Sequence, residues 1–343
     1  MSVVEDSQWT NCVATLGTYQ GNRARYDALG LLEERKRCVL KCQLSSPVTL
    51  DAKGTTLKGI ETSLSEEPYE TEEKKIVYED ELQALGYVYF EQGAAVSGGS
   101  VQTYIMGDPV RFKVEHTIRI LNDSLFLCGT RVTAGYDSEG QLKELDVVRY
   151  IPGDTDDFPN SVVSSSNKLS LLADILVEGI GCQESFAAFC ATPKLQSGRW
   201  VGEGTAIFPD EKETYTIKSL CKFVADVSGF GIVMNEKVLA KGEFSFGMHL
   251  GKKQSEHAIA FQSTQGRIHE VRLLFLGGGI VLMCPVTIPQ GESFCIEVSW
   301  LTDEFHRKRL IRHYDEGGRW HHSSLISEEK QQPKQKKLTF TSI

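Results

Sequence analysis

Two short motifs recur along this chain at almost the same separation, and this repetition constrains the fold more than any other feature. The pattern Gly-x-aromatic-x-Gly occurs at residues 17–21 and again at 198–202, with Gly198 following Gly17 by 181 residues. A segment with a Tyr-Asp turn occurs at 131–140 and again at 309–318, with the two tyrosines separated by 178 residues. Two independent motifs with nearly equal offsets predict two homologous halves.

Both halves have the residue pattern of β structure. Alternating or β-branched and aromatic runs occupy residues 85–90, 112–120 and 145–150, and then 268–276 and 294–300. Eight strands of about 10 residues with short hairpin loops need about 120 residues, which fits the length of each half. Closure of such a sheet hides its edges. We therefore expect an all-β protein made of two tandem antiparallel up-and-down barrels.

The segment between the halves differs from both. It begins with a polar stretch rich in Asp, Ser and Pro, and its apolar residues from Leu169 to Ile180 recur at helical spacing. This pattern predicts a short helical connector. The chain from Ser327 onward is polar and Lys-rich, and we expect it to fray. The predicted units are an N-terminal barrel at 9–150, a linker with a helix at 151–197, a C-terminal barrel at 198–330 and a disordered tail at 331–343.

Composition excludes several classes of protein. The formal net charge is −9, which disfavours nucleic-acid binding, because counterion release needs a basic surface. No apolar run approaches the roughly 20 residues of a membrane helix, and the N-terminus has no secretory signal pattern. Nine scattered cysteines without a Cys-x-x-Cys pair indicate neither a disulfide framework nor a zinc site, and they suit a reducing compartment.

Catalytic and cofactor motifs are missing from the sequence. There is no phosphate-binding glycine loop of either common type and no Gly-x-Ser-x-Gly elbow. Gly277–Gly279 lies between two apolar β runs, so we expect a tight turn or bulge there. His313, His321 and His322 are not expected to bind one metal together, because the adjacent pair would point to opposite faces of a strand. We expect these histidines to be solvated. We assign no catalytic residue, no metal site and no cofactor on these grounds.

Four charged residues of the second half are candidate ligand-binding residues. Arg272, Glu297, Arg309 and Arg312 lie on predicted strands, and a charge inside an apolar barrel needs a partner such as a ligand carboxylate. The alternative is that they are exposed on the outer face of the barrel. Tyr19 and Trp200, at the centres of the two glycine motifs, are expected to plug the closed ends of the barrels as structural residues.

These residues also carry a family likeness. Gly-x-Trp-x-Gly at the start of a barrel resembles the lipocalin (calycin) signature. Cys284-Pro285, Trp300-Leu301, residues 309–312, Tyr314-Asp315 and Trp320 resemble the second half of a two-barrel family of unknown function from oxygenic phototrophs and plastids. Tyr19 stands where that family has Trp. The resemblance implies two lipocalin-like barrels and a setting in the chloroplast stroma, and by fold it is distantly similar to the S- and T-type phycobiliprotein lyases.

The fold and the resemblance together leave three functions open. The first is non-catalytic binding of a small apolar or amphipathic molecule, such as a tetrapyrrole, a carotenoid or a lipid-like ligand, because an eight-strand barrel has room for one. The second is an assembly or structural partner of a photosynthetic protein, with barrels filled by side chains. The third is a chromophore lyase or isomerase on the same fold. A cavity inside one barrel would favour the first.

Overall fold

The fold was taken from a computed structural model of the chain. It describes residues 3–45, 48–49, 56–57, 59–66, 73–78, 86–101, 112–122, 125–153, 197–209, 214–226, 229–239, 241–263 and 269–331. Most of the predicted linker with a helix (151–197) and of the predicted tail (331–343) lies outside these residues, which do not include 154–196 or 332–343.

The N-terminal half begins with a helix, α1 (Val3–Val13), and continues as β structure with one 3₁₀ turn at Glu91–Gly93. Nine of its strands form one antiparallel sheet in the order β6-β5-β2-β1-β11-β10-β9-β8-β7, and β3 pairs with β4 separately. The strands are β1 (Gly17–Tyr26), β2 (Leu32–Leu44), β3 (Val48–Thr49), β4 (Thr56–Leu57), β5 (Gly59–Glu66), β6 (Glu73–Tyr78), β7 (Tyr87–Tyr89), β8 (Ala95–Ser97), β9 (Lys113–Asn122), β10 (Leu125–Tyr136) and β11 (Leu142–Pro152).

The C-terminal half is a closed antiparallel barrel of ten strands, each paired with its neighbours in sequence, and β21 pairs back with β12. The strands are β12 (Gly198–Ile207), β13 (Thr214–Asp226), β14 (Gly229–Val238), β15 (Gly242–Lys253), β16 (Ala258–Ser263), β17 (Glu270–Phe275), β18 (Ile280–Pro285), β19 (Phe294–Leu301), β20 (His306–Tyr314) and β21 (Trp320–Gln331).

The all-β fold predicted from the sequence is confirmed, with three differences in detail. The C-terminal barrel has ten strands and not eight. Within the described ranges the N-terminal sheet runs from β6 to β7 and is not closed by a pairing between them. The segment from Ser327 to Gln331, expected to fray, is the end of β21 and pairs with both β12 and β20. Ladder hydrogen bonds on both sides keep this polar segment in the barrel.

The largest apolar core lies between the two halves. On β19, Phe294, Ile296, Val298 and Trp300 point out of the C-terminal barrel into this core, where they join buried residues of the N-terminal sheet. The residues that alternate with them, such as Glu297, point into the barrel. An apolar outer face is stable here because the other half covers it, and each large side chain so buried contributes roughly 1.5–3 kcal/mol.

Backbone and side-chain hydrogen bonds join the halves at the same interface. The Leu142 amide donates to the Val286 carbonyl over 2.9 Å, and the Ile288 amide donates to the Gly140 carbonyl over 2.8 Å. The Tyr136 hydroxyl donates to the Pro285 carbonyl, 2.9 Å away. These bonds are buried with the apolar core, so the two halves form a continuous contact.

The triple-glycine segment is a tight turn between β17 and β18, as the sequence predicted. Gly277, Gly278 and Gly279 all have positive φ, of 75°, 61° and 75°, which residues with a Cβ rarely adopt. Arg149 of the N-terminal half donates to the carbonyl oxygens of Leu276 and Gly277 at 2.9 Å. A Cβ on Gly278 would lie 2.6 Å from Nε of Arg149. The glycines therefore serve the turn and its contact with the other half.

Candidate functional site

A cavity of about 660 Å³ lies inside the C-terminal barrel. Its apolar walls include Met234, Val271, Met283 and Ile311, which come from four different strands. Part of its polar lining comes from inward-pointing positions of the strands, because every second side chain of a barrel strand points inward, and part comes from the turns at one end of the barrel. The polar residues that line it are Glu236, Glu243, Ser245, His269, Ser293, Glu297, Arg309, His313, Asp315, Glu316, Arg319, His321 and His322.

A buried charged network lies on the inner side of this cavity, centred on Arg309. Its guanidinium forms two bonds of 2.7 Å to the two carboxylate oxygens of Glu297. It also donates to Glu328 at 3.0 Å and to the Ser219 hydroxyl at 3.1 Å, and it lies 3.1 Å from Oε1 of Glu236. The Arg309 side chain is fully buried. Planar, two-point pairing of this kind is the strongest arrangement that an arginine makes with carboxylates.

The network continues from Arg309 to the aromatic residue at the other end of the barrel. Glu328 accepts a second charged bond from Nε of Arg307, 2.6 Å long. The Arg307 guanidinium lies over the Trp200 ring, 4.4 Å from its centroid. Trp200 is fully buried. A chain of contacts thus connects the cavity to the Trp200 end of the barrel.

Burial and pairing act in opposite directions on the carboxylates of the network. Burial raises the pKa of Glu328, but the charges of Arg307 and Arg309 and the bond from Ser219 outweigh it and lower this pKa to about 2. Burial likewise raises the pKa of Glu236, and contact with His313 and the charge of Arg309 lower it below its usual value. Both groups are ionised at neutral pH. Two arginines therefore meet three carboxylates, for a formal charge of −1.

Three histidines form a cluster that lines the outer part of the cavity. The rings of His313 and His322 stack with centroids 4.0 Å apart, and Nδ1 of His321 lies 2.7 Å from Nδ1 of His322. His322 is completely buried against Phe208 and Phe244, with ring centroids 5.0 Å away in each case. Burial, followed by the proximity of the other two histidines, holds the pKa of His322 well below its usual value, so the ring is neutral.

The expectation of three solvated histidines is wrong for His322, and the adjacent pair is not separated by the sheet. His321 and His322 stand at the start of β21, opposite a register shift between His313 and Tyr314, and both rings line the cavity. Within the ranges listed above, no group of three or more His, Cys, Asp or Glu side chains has the geometry to hold a metal ion.

The structure places two of the four predicted ligand-binding residues in the cavity and two outside it. Glu297 and Arg309 line it and bind each other. Arg272 and Arg312 point out of the barrel toward the N-terminal half, where they donate to the carbonyls of Ala28 and Gly86 at 2.9 Å. The Arg312 side chain is as buried as that of Arg309. The outward pair therefore contributes to the contact between the halves.

The two motif aromatics occupy corresponding places. The Tyr19 ring lies under the Arg119 guanidinium at 5.0 Å, as Trp200 lies under Arg307. The Tyr19 hydroxyl donates to the Thr15 carbonyl at 2.8 Å, which Trp cannot do in the same way. The arginines come from different strands, β9 in the first half and β20 in the second. Both aromatics are buried, in the manner of structural residues.

The N-terminal half offers much less space. The cavity bounded by its described residues has about 60 Å³, and Arg119, Arg131 and Tyr150 are among the residues that line it. This is roughly the room for one or two water molecules. This cavity among the described residues of the first half is therefore much smaller than the cavity of the second half.

Sequence reasoning missed Glu236, Glu328, Ser219 and the buried His322. Glu328 was assigned to a polar end of the chain, although Ile326 and Glu328 are two residues apart and share the inner face of β21. The two-residue spacing from Ile326 was therefore the sequence signal that could have placed Glu328 inside the barrel. Glu236 and Ser219 lie on strands that carry polar residues on both faces, so no local sequence pattern distinguishes these two positions.

The C-terminal half is thus a closed barrel with an arginine over the buried tryptophan of its first strand and with an internal cavity. The whole chain is similar in structure to a protein of unknown function from the DUF3598 family of Nostoc punctiforme, with a TM-score of 0.63 and 18% identity, covering 94% of this chain and 99% of that one. At the level of fold, this match agrees with the resemblance to a two-barrel, calycin-like family that was described from the sequence. Residues 192–331 match the family model of the C-terminal domain of biogenesis factor required for ATP synthase 1.

Two further structures are similar to parts of the chain. The S-type phycobiliprotein lyase CPES from Guillardia theta has a TM-score of 0.31 and 13% identity over 41% of this chain and 92% of that one. Rv2717c from M. tuberculosis has a TM-score of 0.30 and 10% identity over 44% and 99%. These scores support no transfer of function. No curated protein matched the sequence. None of the helices in the described ranges is long and apolar enough to cross a membrane.

Proposed function

We propose that this protein is an assembly factor for ATP synthase, which binds a component of that enzyme and catalyses no reaction. The observation that carries the proposal is the match of residues 192–331 to the C-terminal domain of biogenesis factor required for ATP synthase 1. The matched segment includes all ten strands of the closed barrel. The likeness therefore covers a complete barrel and not a local motif.

The geometry of the barrel interior supports binding more than catalysis. Arg309 gives its donors to Glu297, Glu328 and Ser219, and Arg307 gives Nε to Glu328. A general acid or base has to reach the substrate and exchange a proton near neutral pH. Glu328, with a pKa of about 2 and a fully buried side chain, meets neither condition.

Deletion of the gene in its host tests the assembly function. Assembled ATP synthase, measured by native gel electrophoresis and immunoblotting of its catalytic subunit, is expected to fall severalfold and to recover when the wild-type gene is returned. A second membrane complex measured on the same gels is the control and should be unchanged. An unchanged amount of ATP synthase in the deletion strain would contradict the proposal. Fractionation of a tagged chain tests the chloroplast stroma, which stays a prediction from the resemblance.

Ligand binding in the C-terminal barrel is a second function that one specific observation favours. The 660 Å³ cavity has the volume of a small-molecule site, for which roughly 300–1,000 Å³ is typical. Its mixed lining of carboxylates, imidazoles and apolar side chains suits an amphipathic ligand better than a wholly apolar one such as a carotenoid. The purified protein should be examined for bound pigment and titrated with bilin and haem, following the intrinsic tryptophan fluorescence. No change at micromolar ligand would count against tetrapyrrole binding.

A further inference from the structure

The cavity of the C-terminal barrel carries negative charge that the protein does not fully neutralise. The buried network pairs two arginines with three carboxylates. Glu297 and Glu328 each receive two or more charged or hydroxyl bonds, whereas Glu236 contacts Arg309 through Oε1 only. Its second oxygen, Oε2, is buried and makes no hydrogen bond within the described residues. A buried carboxylate oxygen without a donor is costly, so this atom is a natural point of attachment.

The neighbours of that oxygen also have unused polar atoms. Nε2 of His313 lies 3.5 Å from Oε2 of Glu236, a distance that brings the groups close without forming a hydrogen bond. Nε2 of His322 is buried and has no partner among the described residues, and His322 itself is completely buried. Both imidazoles line the same cavity as Glu236. Three buried polar atoms without a hydrogen bond in the described part of the chain thus belong to residues that line one cavity.

We infer that the cavity binds a small organic cation, an amine or a guanidinium with an apolar body, whose charged nitrogen pairs with Oε2 of Glu236. The inference rests on ligand binding, the second function proposed above, and names the chemical class of the ligand. The nitrogen supplies the donor that Oε2 lacks and balances the formal charge of the network. The apolar body packs against Met234, Val271, Met283 and Ile311, which line the same cavity.

The arrangement opposes an anionic ligand. Arg309, the buried cation of the cavity, already donates to Glu297, Glu328 and Ser219. A ligand carboxylate would have to displace one of these partners and would lie near Glu236, with which it would repel. At the cavity opening Glu243 pairs with Lys237 and Asp315 pairs with Arg319, and Glu316 adds a further negative charge. A cationic ligand is thus the opposite of the ligand carboxylate that was expected from the sequence at the arginines.

The test compares three ligands that share one body and differ in the charge of one group. 4-Phenylbutylamine, 4-phenylbutanol and 4-phenylbutyrate are titrated into the purified full chain by isothermal titration calorimetry at pH 8, where free imidazole is uncharged. The amine is expected to bind at least about tenfold more tightly than the alcohol, as a charge-assisted bond in a desolvated site allows. The carboxylate is expected to bind more weakly than both.

A pair of Glu→Gln variants locates the effect. Glu236→Gln removes the charge but keeps an oxygen toward Arg309, so amine affinity is expected to fall at least about tenfold while alcohol affinity stays within threefold. Glu203→Gln is the matched control, because Glu203 lies on β12 of the same barrel, does not line the cavity and has a side chain that is 69% exposed. Its effect on amine affinity is expected to stay within twofold. Thermal unfolding verifies that each variant is folded.

The outcomes separate this inference from ligand binding in general. Equal affinities for the amine and the alcohol would mean that Glu236 exerts no net attraction on a cationic ligand, and they would overturn the inference while leaving ligand binding in place. Tighter binding of the carboxylate would do the same. Absence of binding by all three at millimolar concentration would overturn both. If Glu236→Gln fails to fold, the ranking of the three ligands on the wild-type chain decides alone.

Discussion

Substitution of Glu328 by Gln should destabilise the C-terminal barrel strongly, because this one carboxylate holds both buried arginines. It accepts Nε of Arg307 over 2.6 Å, Nη1 of Arg309 over 3.0 Å and the Ser219 hydroxyl over 2.7 Å. Gln has the shape of Glu but is neutral, and it keeps only one acceptor oxygen. The change therefore removes the charge with little effect on packing, and it leaves two guanidiniums with less compensation.

The size of the effect follows from the pKa of Glu328. Its value of about 2 in the folded protein, against 4.5 for an unperturbed Glu, corresponds to about 3 kcal/mol at 1.36 kcal/mol per pKa unit. Breaking a buried ion pair by removing one partner costs about 3–5 kcal/mol in general, which agrees. Because the folded pKa is the lower one, this stability is present above pH 4.5 and is lost as pH falls toward 2.

Urea unfolding followed by tryptophan fluorescence measures this difference. At pH 7 the variant should be about 3 kcal/mol less stable than the wild type, and the gap should shrink steadily below pH 4.5. Glu329→Gln is the control on the neighbouring position, where the side chain is exposed, and it should change stability by less than about 0.5 kcal/mol. A difference below about 1 kcal/mol for Glu328→Gln at pH 7, or one that persists unchanged at pH 3, would refute the reasoning.

Three further perturbations probe other parts of the fold. Arg312→Ala removes hydrogen bonds to backbone carbonyls of the N-terminal half, so it should lower the free energy of unfolding by about 2–4 kcal/mol in a thermal or urea assay. In the same assay the control Arg319→Ala, at a side chain that is 72% exposed, should lower it by less than about 0.5 kcal/mol. Trp200→Ala should cost about 3–5 kcal/mol through the void it leaves, and a loss below 1 kcal/mol would argue against a packed plug. Burial raises the pKa of Cys284 to about 12, so iodoacetamide at pH 8 should alkylate the half-buried Cys295 first, and mass spectrometry of the peptides would expose the opposite order.

Much of the architecture could be predicted from the sequence because it depends on periodicity. The matching offsets of the Gly-x-aromatic-x-Gly motif and the Tyr-Asp turn predicted two halves, and alternating residues predicted strands. The number of strands could not be obtained in the same way. Strands β16, β17 and β18 have six residues each, so one length of chain fits eight long strands or ten shorter ones. Only the pairing between strands distinguishes these possibilities.

The candidate site was harder to predict, since alternation identifies two faces of a strand but not which face is inside. On β19 the apolar face of Phe294 and Ile296 points outward, because the N-terminal half covers it, and the face of Glu297 points into the barrel. Arg272 and Arg312 stand at strand positions whose side chains point outward, and no sequence pattern indicates this direction. Glu236 meets Arg309 only through the closure of the sheet, which brings together residues that are far apart in the chain.

The apolar outer face of the C-terminal barrel also has an evolutionary consequence. Because the first half covers Phe294, Ile296 and Val298, loss of that half would leave a broad apolar surface in water. A natural relative that retains only the second half should therefore carry polar residues at these three positions, or should be found permanently bound to another chain that takes the place of the missing half.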